Sequence, residues 1–190
     1  MRIIGGRWKG RTLKSPRSRA IRPTSDQLRE AIFNILAHSY GNPVEGARIL
    51  DLFAGTGAMG IEALSRGAAF ALLMDSNAQA CAISRANSEA LSAQGLARIL
   101  KRDARKLGLA PEGEKFNLAF VDPPYGRGLA FPTLVALRDG GWLGKDALIV
   151  IEESARAAVD LPEGFVFQEA RRVGHTQIVF ARLAHNRSLP

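Results

Sequence analysis

Acidic residues are missing from the first 25 positions of this chain, and Asp26 is the earliest carboxylate. Cysteine is nearly absent as well. With Cys81 alone, no intrachain disulfide and no cysteine-cluster zinc site can form. Set between alanines in a helical stretch, Cys81 reads as a small buried apolar residue. No apolar run approaches the ~20 residues that a membrane-spanning helix needs. The N-terminus, Met1-Arg2-Ile3-Ile4-Gly5-Gly6, lacks the long apolar region of a secretory signal. No internal repeat and no low-complexity segment occurs. These absences lead to the expectation of a cytoplasmic protein that uses neither membrane nor metal.

The chain has 190 residues, 46% of them apolar, enough for one domain with a sizeable core and a small extension. Its net charge is +8, and the placement of that charge is informative. Eight cations, Arg2, Arg7, Lys9, Arg11, Lys14, Arg17, Arg19 and Arg22, precede Asp26, leaving 18 cations against 18 anions in the remainder. The excess is confined to an N-terminal arm, where Trp8 and paired glycines interrupt the run of charge. Such an arm suits a polyanion.

Local patterns place the elements. Residues 2–14 read as a hairpin turning at Gly5-Gly6 and Gly10, and 15–22 as a basic linker. Pro23-Thr24 opens a helix in which Thr24 and Gln27 fit a capping box. Leu28, Ile32, Phe33, Ile35 and Leu36 form its apolar stripe, with Arg29 and Glu30 off it, and Gly41-Asn42-Pro43 ends it. Beyond residue 47, short apolar strands (48–53, 70–74, 97–100, 116–121, 147–151) alternate with helical stretches at 58–65, 77–93 and 131–139, and each connection is expected to be helical. That alternation predicts a mostly parallel sheet with helices on both faces. Two final strands, 165–170 and 176–180, have only Gly174 and its neighbours between them and read as an antiparallel hairpin. The expected division is a basic hairpin-and-helix extension over 1–40 and a catalytic domain over 41–190.

The first strand runs into Asp51-Leu52-Phe53-Ala54-Gly55-Thr56-Gly57-Ala58-Met59-Gly60. The G-x-G-x-x-G spelling points to a dinucleotide site. In a chain this rich in glycine it arises by chance about 0.2 times, so the neighbouring residues must decide. Asp51, Asp75, Asp103 and Asp122 all fall at strand ends, where open α/β sheets bind ligands. Asp75 lies at the spacing of a carboxylate that grips a ribose diol. Asp51 opposes NAD, because a carboxylate there repels a diphosphate, whereas an ammonium or sulfonium is attracted. S-adenosylmethionine offers both cations and the ribose. Gly55 and Gly57 are then expected to allow close approach of its methionine part, and Gly60 to serve helix packing.

Asp122-Pro123-Pro124-Tyr125 follows the fourth strand directly. Two prolines make the loop rigid and leave carbonyls without a local N–H partner. A carboxylate, an outward carbonyl and a ring are the parts needed to methylate an exocyclic amine. The two acceptors take the amine's two N–H bonds and release its conjugated lone pair. The ring stacks on the base, which has been flipped out of its helix.

The pairing of Asp51-x-Phe53-Ala54-Gly55-Thr56-Gly57 with Asp122-Pro-Pro-Tyr125 resembles class I S-adenosylmethionine-dependent amino-methyltransferases. Arg2-Ile-Ile-Gly-Gly6, Trp8-Lys-Gly-Arg11, Arg22-Pro-Thr24 and Arg29-Glu30…Phe33-Asn34 resemble the RsmD family of bacterial small-subunit ribosomal RNA guanine-N2-methyltransferases. The resemblance implies a Rossmann-like, seven-stranded α/β sheet ending in an antiparallel hairpin. It implies S-adenosylmethionine contacts at Asp51, Phe53, Ala54, Gly55, Gly57, Asp75, Ser76, Asp103 and Ala104, and a guanine site at Asp122–Tyr125, with nucleotide 966 as the target. It also implies RNA contacts by the eight cations of the arm and Trp8, with ribosomal RNA or an assembling small subunit as partner and the enzyme acting as a monomer. The family often carries Glu where this chain has Asp75, which points to a looser or water-mediated ribose grip. The alternatives are a DNA adenine-N6 or cytosine-N4 methyltransferase, an NAD-linked oxidoreductase, and an RNA-binding module with a dead site.

Overall fold

A computed structural model of the chain describes residues 1–15 and 26–184. The linker over 15–22 beyond Ser15, the helix opening at Pro23-Thr24 and the Thr24–Gln27 capping box lie outside the described residues. So do Arg17, Arg19 and Arg22.

The order of elements is α1 (Asp26–Ser39), β1 (Arg48–Leu52), α2 (Ala58–Ser65), β2 (Phe70–Asp75), α3 (Ala78–Ala90), β3 (Ala97–Lys101), β4 (Phe116–Val121), α4 (Ala130–Asp139), β5 (Leu143–Ser154), β6 (Phe165–Val173) and β7 (Thr176–Leu183). Seven strands form one sheet in the order β3-β2-β1-β4-β5-β7-β6. β1 to β5 are parallel, and β7 runs antiparallel to both β5 and β6. This is the expected α/β fold with its antiparallel ending. Among the described residues no helix is long and apolar enough to cross a membrane.

Strand alternation sends side chains to the two faces. Ile49, Leu118 and Phe120 face one core, shared with Leu28, Ile32, Phe33 and Leu36 of α1. Leu50, Leu52, Ala119 and Val121 face the other, shared with Leu134 and Leu137 of α4 and Trp142. Neighbours on a strand thus serve opposite cores, which is why the parallel strands read as continuous apolar runs.

Several boundaries differ from the expectation. α3 stops at Ala90 because Ser92 adopts φ 53, with Ser92 N bonding Glu89 O at 3.0 Å and Ala93 N bonding Ser88 O at 2.9 Å. That is a Schellman end built on serine, a residue with no glycine signal to announce it. β5 begins at Leu143 rather than 147, because Leu143 pairs with Phe116 before a register shift. β6 and β7 also run three residues further than read, with Gly174 (φ 60) and His175 alone between them.

Arg29 does not lie off the stripe of α1. Its side chain is fully buried, and Nε faces Glu62 Oε2 of α2 at 3.4 Å. Glu62 is equally buried and is a point of convergence. It accepts the Ile4 N–H (2.9 Å) and the Gly5 N–H (2.8 Å) from the N-terminal hairpin, and Arg66 Nε at 2.8 Å. The hairpin itself closes through the Arg2–Thr12 bridge and lies along α2 and α3. Ile3 and Leu13 pack on Ile61 and Ala58, and Arg7 N bonds Ser65 O at 2.8 Å. A Cβ on Gly6 would stand 1.8 Å from Ser65 O, so only glycine permits this approach.

Candidate active site

The strand order reverses between β1 and β4, and the crevice at such a switch point is where open α/β sheets bind ligands. Leu52 is in register with Val121, and Asp122 N donates to Leu52 O at 3.4 Å. The glycine loop and the proline loop therefore leave the sheet side by side.

The glycine loop is a tight left-handed turn: Phe53 has φ 60, Gly55 φ 55 and Gly57 φ 78. A left-handed phenylalanine is costly, and such strain concentrates at functional sites. Ala54 N is tied to Met74 O at 2.9 Å. From α3, Ser84 Oγ donates to Gly55 O and Asn87 Nδ2 to Thr56 O, both at 2.9 Å. A Cβ on Gly57 would come within 2.6 Å of Leu73 Cδ2 and 3.1 Å of Ser84 Oγ, so protein packing alone demands glycine there. At Gly60 a Cβ would meet Leu73 at 3.1 Å, in keeping with a packing role.

Asp75 closes β2 and has a scaffolding task. Oδ2 accepts the Gly55 N–H at 2.9 Å and Oδ1 the Asn77 N–H at 2.8 Å. Each oxygen retains a lone pair for a further donor such as a ribose hydroxyl. Ser76 is exposed beside it, and Asn77 caps α3 through Gln79 N. Asp103, after β3, is clasped by Arg105: Nη2 at 2.6 Å, Nε at 3.0 Å and the backbone N at 2.9 Å. Those bonds hold its carboxyl down at about 2. Ala104 is buried behind it.

Asp51 is only 2% exposed and its Oδ2 accepts the Gly60 N–H at 2.9 Å. Burial raises its carboxyl from 3.8 to about 7, against the lowering effect of the Gly60 amide and with a further push from Asp75. The folded state keeps a proton that the unfolded chain releases near pH 4, so this group contributes stability at low pH and loses it as pH climbs to about 7. Asp51→Asn keeps an acceptor for Gly60 without the charge. It is expected to melt higher than the parent at about pH 8 and alike at about pH 4; equal melting curves at both would show that Asp51 is not held protonated.

In the proline loop, Pro123 is buried, Pro124 exposed, and Asp122 and Tyr125 half-buried. The Tyr125 hydroxyl hydrogen-bonds Glu152 Oε1 on β5 and, at 2.9 Å, Thr176 Oγ1 on β7. Burial, then the Glu152 bond, push its phenol well above the ordinary tyrosine range. Gly126 N donates to Glu153 Oε1 at 3.2 Å. Glu152 and Glu153 are 7% and 4% exposed, so both are buried. Both hold the loop. Their signal was the same as that of the four aspartates, an acid closing an apolar strand. Thr176 carried no signal, because it meets Tyr125 only through the pairing of Ser154 with Thr176.

Of the basic residues, Arg2, Arg7, Lys9, Arg11 and Lys14 are exposed on the hairpin. Arg7 lies 4.3 Å over the Trp8 ring, and Arg11 reaches Ala90 O at 3.1 Å. Lys14 meets Asn87 through its backbone, N to Oδ1 at 2.7 Å, so the hairpin ends beside the glycine loop. Among the described residues, no group of His, Cys, Asp or Glu is placed to hold a metal ion.

The model of a family described as "Conserved hypothetical protein 95" matches residues 1–182. The chain belongs to this family. It is the RsmD group that the N-terminal motifs resembled: ribosomal RNA small subunit methyltransferase D of Escherichia coli K12 is 45% identical over 152 residues, covering 80% of this chain and 74% of that protein. The solved structure of Escherichia coli yhhF superposes with a TM-score of 0.81 at 34% identity, over 96% of this chain and 97% of the other. An RNA methyltransferase of Salinibacter ruber, solved in complex with S-adenosyl-L-homocysteine, shares the fold at a TM-score of 0.62 and 12% identity, over 88% and 96% of the two chains. Membership in the RsmD family makes this chain a methyltransferase of Rossmann-like fold.

Proposed function

We propose that the chain transfers a methyl group from S-adenosylmethionine to the exocyclic N2 amine of a guanine in small-subunit ribosomal RNA, with nucleotide 966 as the expected position. The observation that carries this reading is the Asp122–Tyr125 loop, pinned by Glu152, Glu153 and Thr176 beside the glycine loop at the switch point. The names of the relatives support the ribosomal RNA substrate, and the homocysteine complex of the Salinibacter protein supports the donor.

The residues present suit that donor. Asp51, Asp75 and Asp103 stand at the ends of three adjacent strands, an acidic rim that fits an ammonium, a diol and an adenine amine and disfavours a diphosphate. The donor supplies a methyl group on a positively charged sulfur. With an ammonium held beside it, the Asp51 carboxyl would release its proton to solvent and stand as the paired carboxylate. Gly55 is set in place by Asp75, so one carboxylate both shapes the loop and stands ready for the ribose.

On the substrate side, the Asp122 carboxylate and the Pro123 carbonyl accept the amine's two N–H bonds. The nitrogen lone pair is then freed for in-line attack, which positioning of the reactants favours. Tyr125 offers its ring to the base, a stacking contact of about 1–3 kcal/mol, and its tethered hydroxyl keeps that ring from rotating away. Asp122 can take the proton that the methylated amine sheds.

The test uses a labelled methyl donor with separate pools of naked small-subunit ribosomal RNA, assembled small subunits and duplex DNA. Label on guanine N2 of the RNA, read by mass spectrometry of the digest, is the expected result. Label in DNA alone would transfer the chain to adenine-N6 or cytosine-N4 chemistry. Calorimetry with NAD and with S-adenosylhomocysteine checks the cofactor, and tight NAD binding would overturn the reading.

A further inference from the structure

Three arginines and a histidine outside the N-terminal arm lie at the end of the sheet that carries the proline loop. Arg127 stands two residues beyond Tyr125, between Gly126 and Gly128. The Gly126 N–H is bound to Glu153 at the carboxyl end of β5. Glu153 is in register with Gln177, and Gln177 with Arg172, so these three share one face of the sheet. His175 occupies the β6–β7 turn, and its carbonyl accepts Ala155 N at 2.9 Å, next to Arg156. Gln177 Nε2 donates to Ser154 O at 2.8 Å and to Ala157 O, stitching the segment that carries Arg156 to the start of β7. Pairing of β5 with β7 thus gathers Arg127, Arg156, Arg172 and His175 at one end of the sheet.

All four are exposed, and among the described residues none of their side chains forms an ion pair. Arg171 differs: it points to the other face and is tied to Glu169. Glu152 and Glu153, the acids that close β5, are buried and bonded to Tyr125, Gly126 and Ser154 rather than exposed among these side chains. Overall neutrality outside the arm therefore conceals a local positive surface. It lies on the β5–β7 side of the switch point, whereas the N-terminal hairpin lies against α2 and α3 on the other.

Building on the proposed function, we propose that Arg127, Arg156, Arg172 and His175 form a second phosphate-binding surface, which grips the RNA strand on the side of the target guanine away from the N-terminal hairpin. Extruding a base costs a few kcal/mol of stacking and pairing. A strand held on one side alone can pivot and keep its base stacked. Held on both sides, it presents the nucleotide to Asp122. Guanidinium forks suit phosphate oxygens and carry no base readout, as a positioning surface requires.

The experiment compares the parent protein with a quadruple variant, R127Q/R156Q/R172Q/H175Q, and with Lys145→Gln, an exposed cation near the opposite end of β5. Binding to a small-subunit ribosomal RNA fragment is titrated against salt. At roughly 0.7 per phosphate contact on single-stranded RNA, the quadruple variant should lose about 2–3 units of log–log salt slope. KM for RNA should rise about tenfold, while S-adenosylhomocysteine affinity and melting temperature match the parent. Lys145→Gln should keep the parental slope. An unaltered slope and KM in the quadruple variant, with the parent binding and methylating RNA normally, overturns this surface and leaves the proposed function intact. A parent that neither binds nor methylates RNA overturns both. Should the quadruple variant melt early, Arg127→Gln and Arg172→Gln singly carry the same test, each expected to lower the slope by a fraction of a unit to one.

Discussion

Asp122→Ala is expected to lower methyl transfer by about 10²–10⁴-fold, the range in which a positioned acceptor of protons contributes, with S-adenosylhomocysteine affinity close to the parent. The guanine N2 lone pair is delocalised into the ring, and the amine becomes nucleophilic only as its N–H bonds are drawn out of that conjugation. Pro123 can engage one of them. Without Asp122 the second finds water, which must reorganise at the moment of attack, whereas a fixed carboxylate does not. Asp122→Asn keeps an acceptor oxygen without the charge and should fall between alanine and parent. The loop should survive either change, since Tyr125 and Gly126 anchor it through Glu152, Thr176 and Glu153. Turnover of the alanine variant within about tenfold of the parent would remove Asp122 from the chemistry.

The second large effect falls on stability. Glu62→Gln should cost about 3–5 kcal/mol, the penalty for breaking a buried ion pair from one side. Arg29 is fully buried opposite it and would keep its charge with a neutral amide in place of the carboxylate. Glutamine also has one acceptor oxygen where Ile4, Gly5 and Arg66 now share two. For a chain of this size the melting temperature should drop on the order of 10 °C. Hydrogen exchange at the Ile4 and Gly5 amides should accelerate beyond what global destabilisation explains, because both donate to Glu62. A melting temperature within about one degree of the parent would mean that Glu62 does not hold the hairpin, which then rests on Ile3 and Leu13 packing and the bonds to Ser65 and Asn87.

These two predictions sit at opposite ends of what could be read in advance. Asp122 was legible because its chemistry is local. A carboxylate, two prolines and a ring in consecutive positions after a strand are rigid wherever they occur. The same holds for Phe53-Ala54-Gly55, where the backbone must turn left-handed within a few residues. Glu62 was not legible. It stands in Ala58–Ser65, a helix whose every residue is buried, yet a lone acid there reads as solvent-facing. Arg29 misled in the same way, since a cation beside an apolar stripe is usually exposed. Each is buried against the other, 33 positions away, with Asp26 and the Arg2 carbonyl also meeting Arg29 and the hairpin amides meeting Glu62.

The sequence by itself determined the alternation of short apolar strands with helices, the antiparallel close, the basic arm and the two loops of the proposed site. Those features arise from period-2 and period-3.6 patterning and from the backbone limits of glycine and proline, all of which act within a dozen residues. Tertiary structure alone decided which acids are scaffold. Asp75 holds Gly55, Glu152 and Glu153 hold the proline loop, and Glu62 holds the hairpin. It also decided that Arg127, Arg156, Arg172 and His175 share one end of the sheet. Those outcomes depend on strand order and on the β5–β7 register, and register is set by packing between segments distant in the chain.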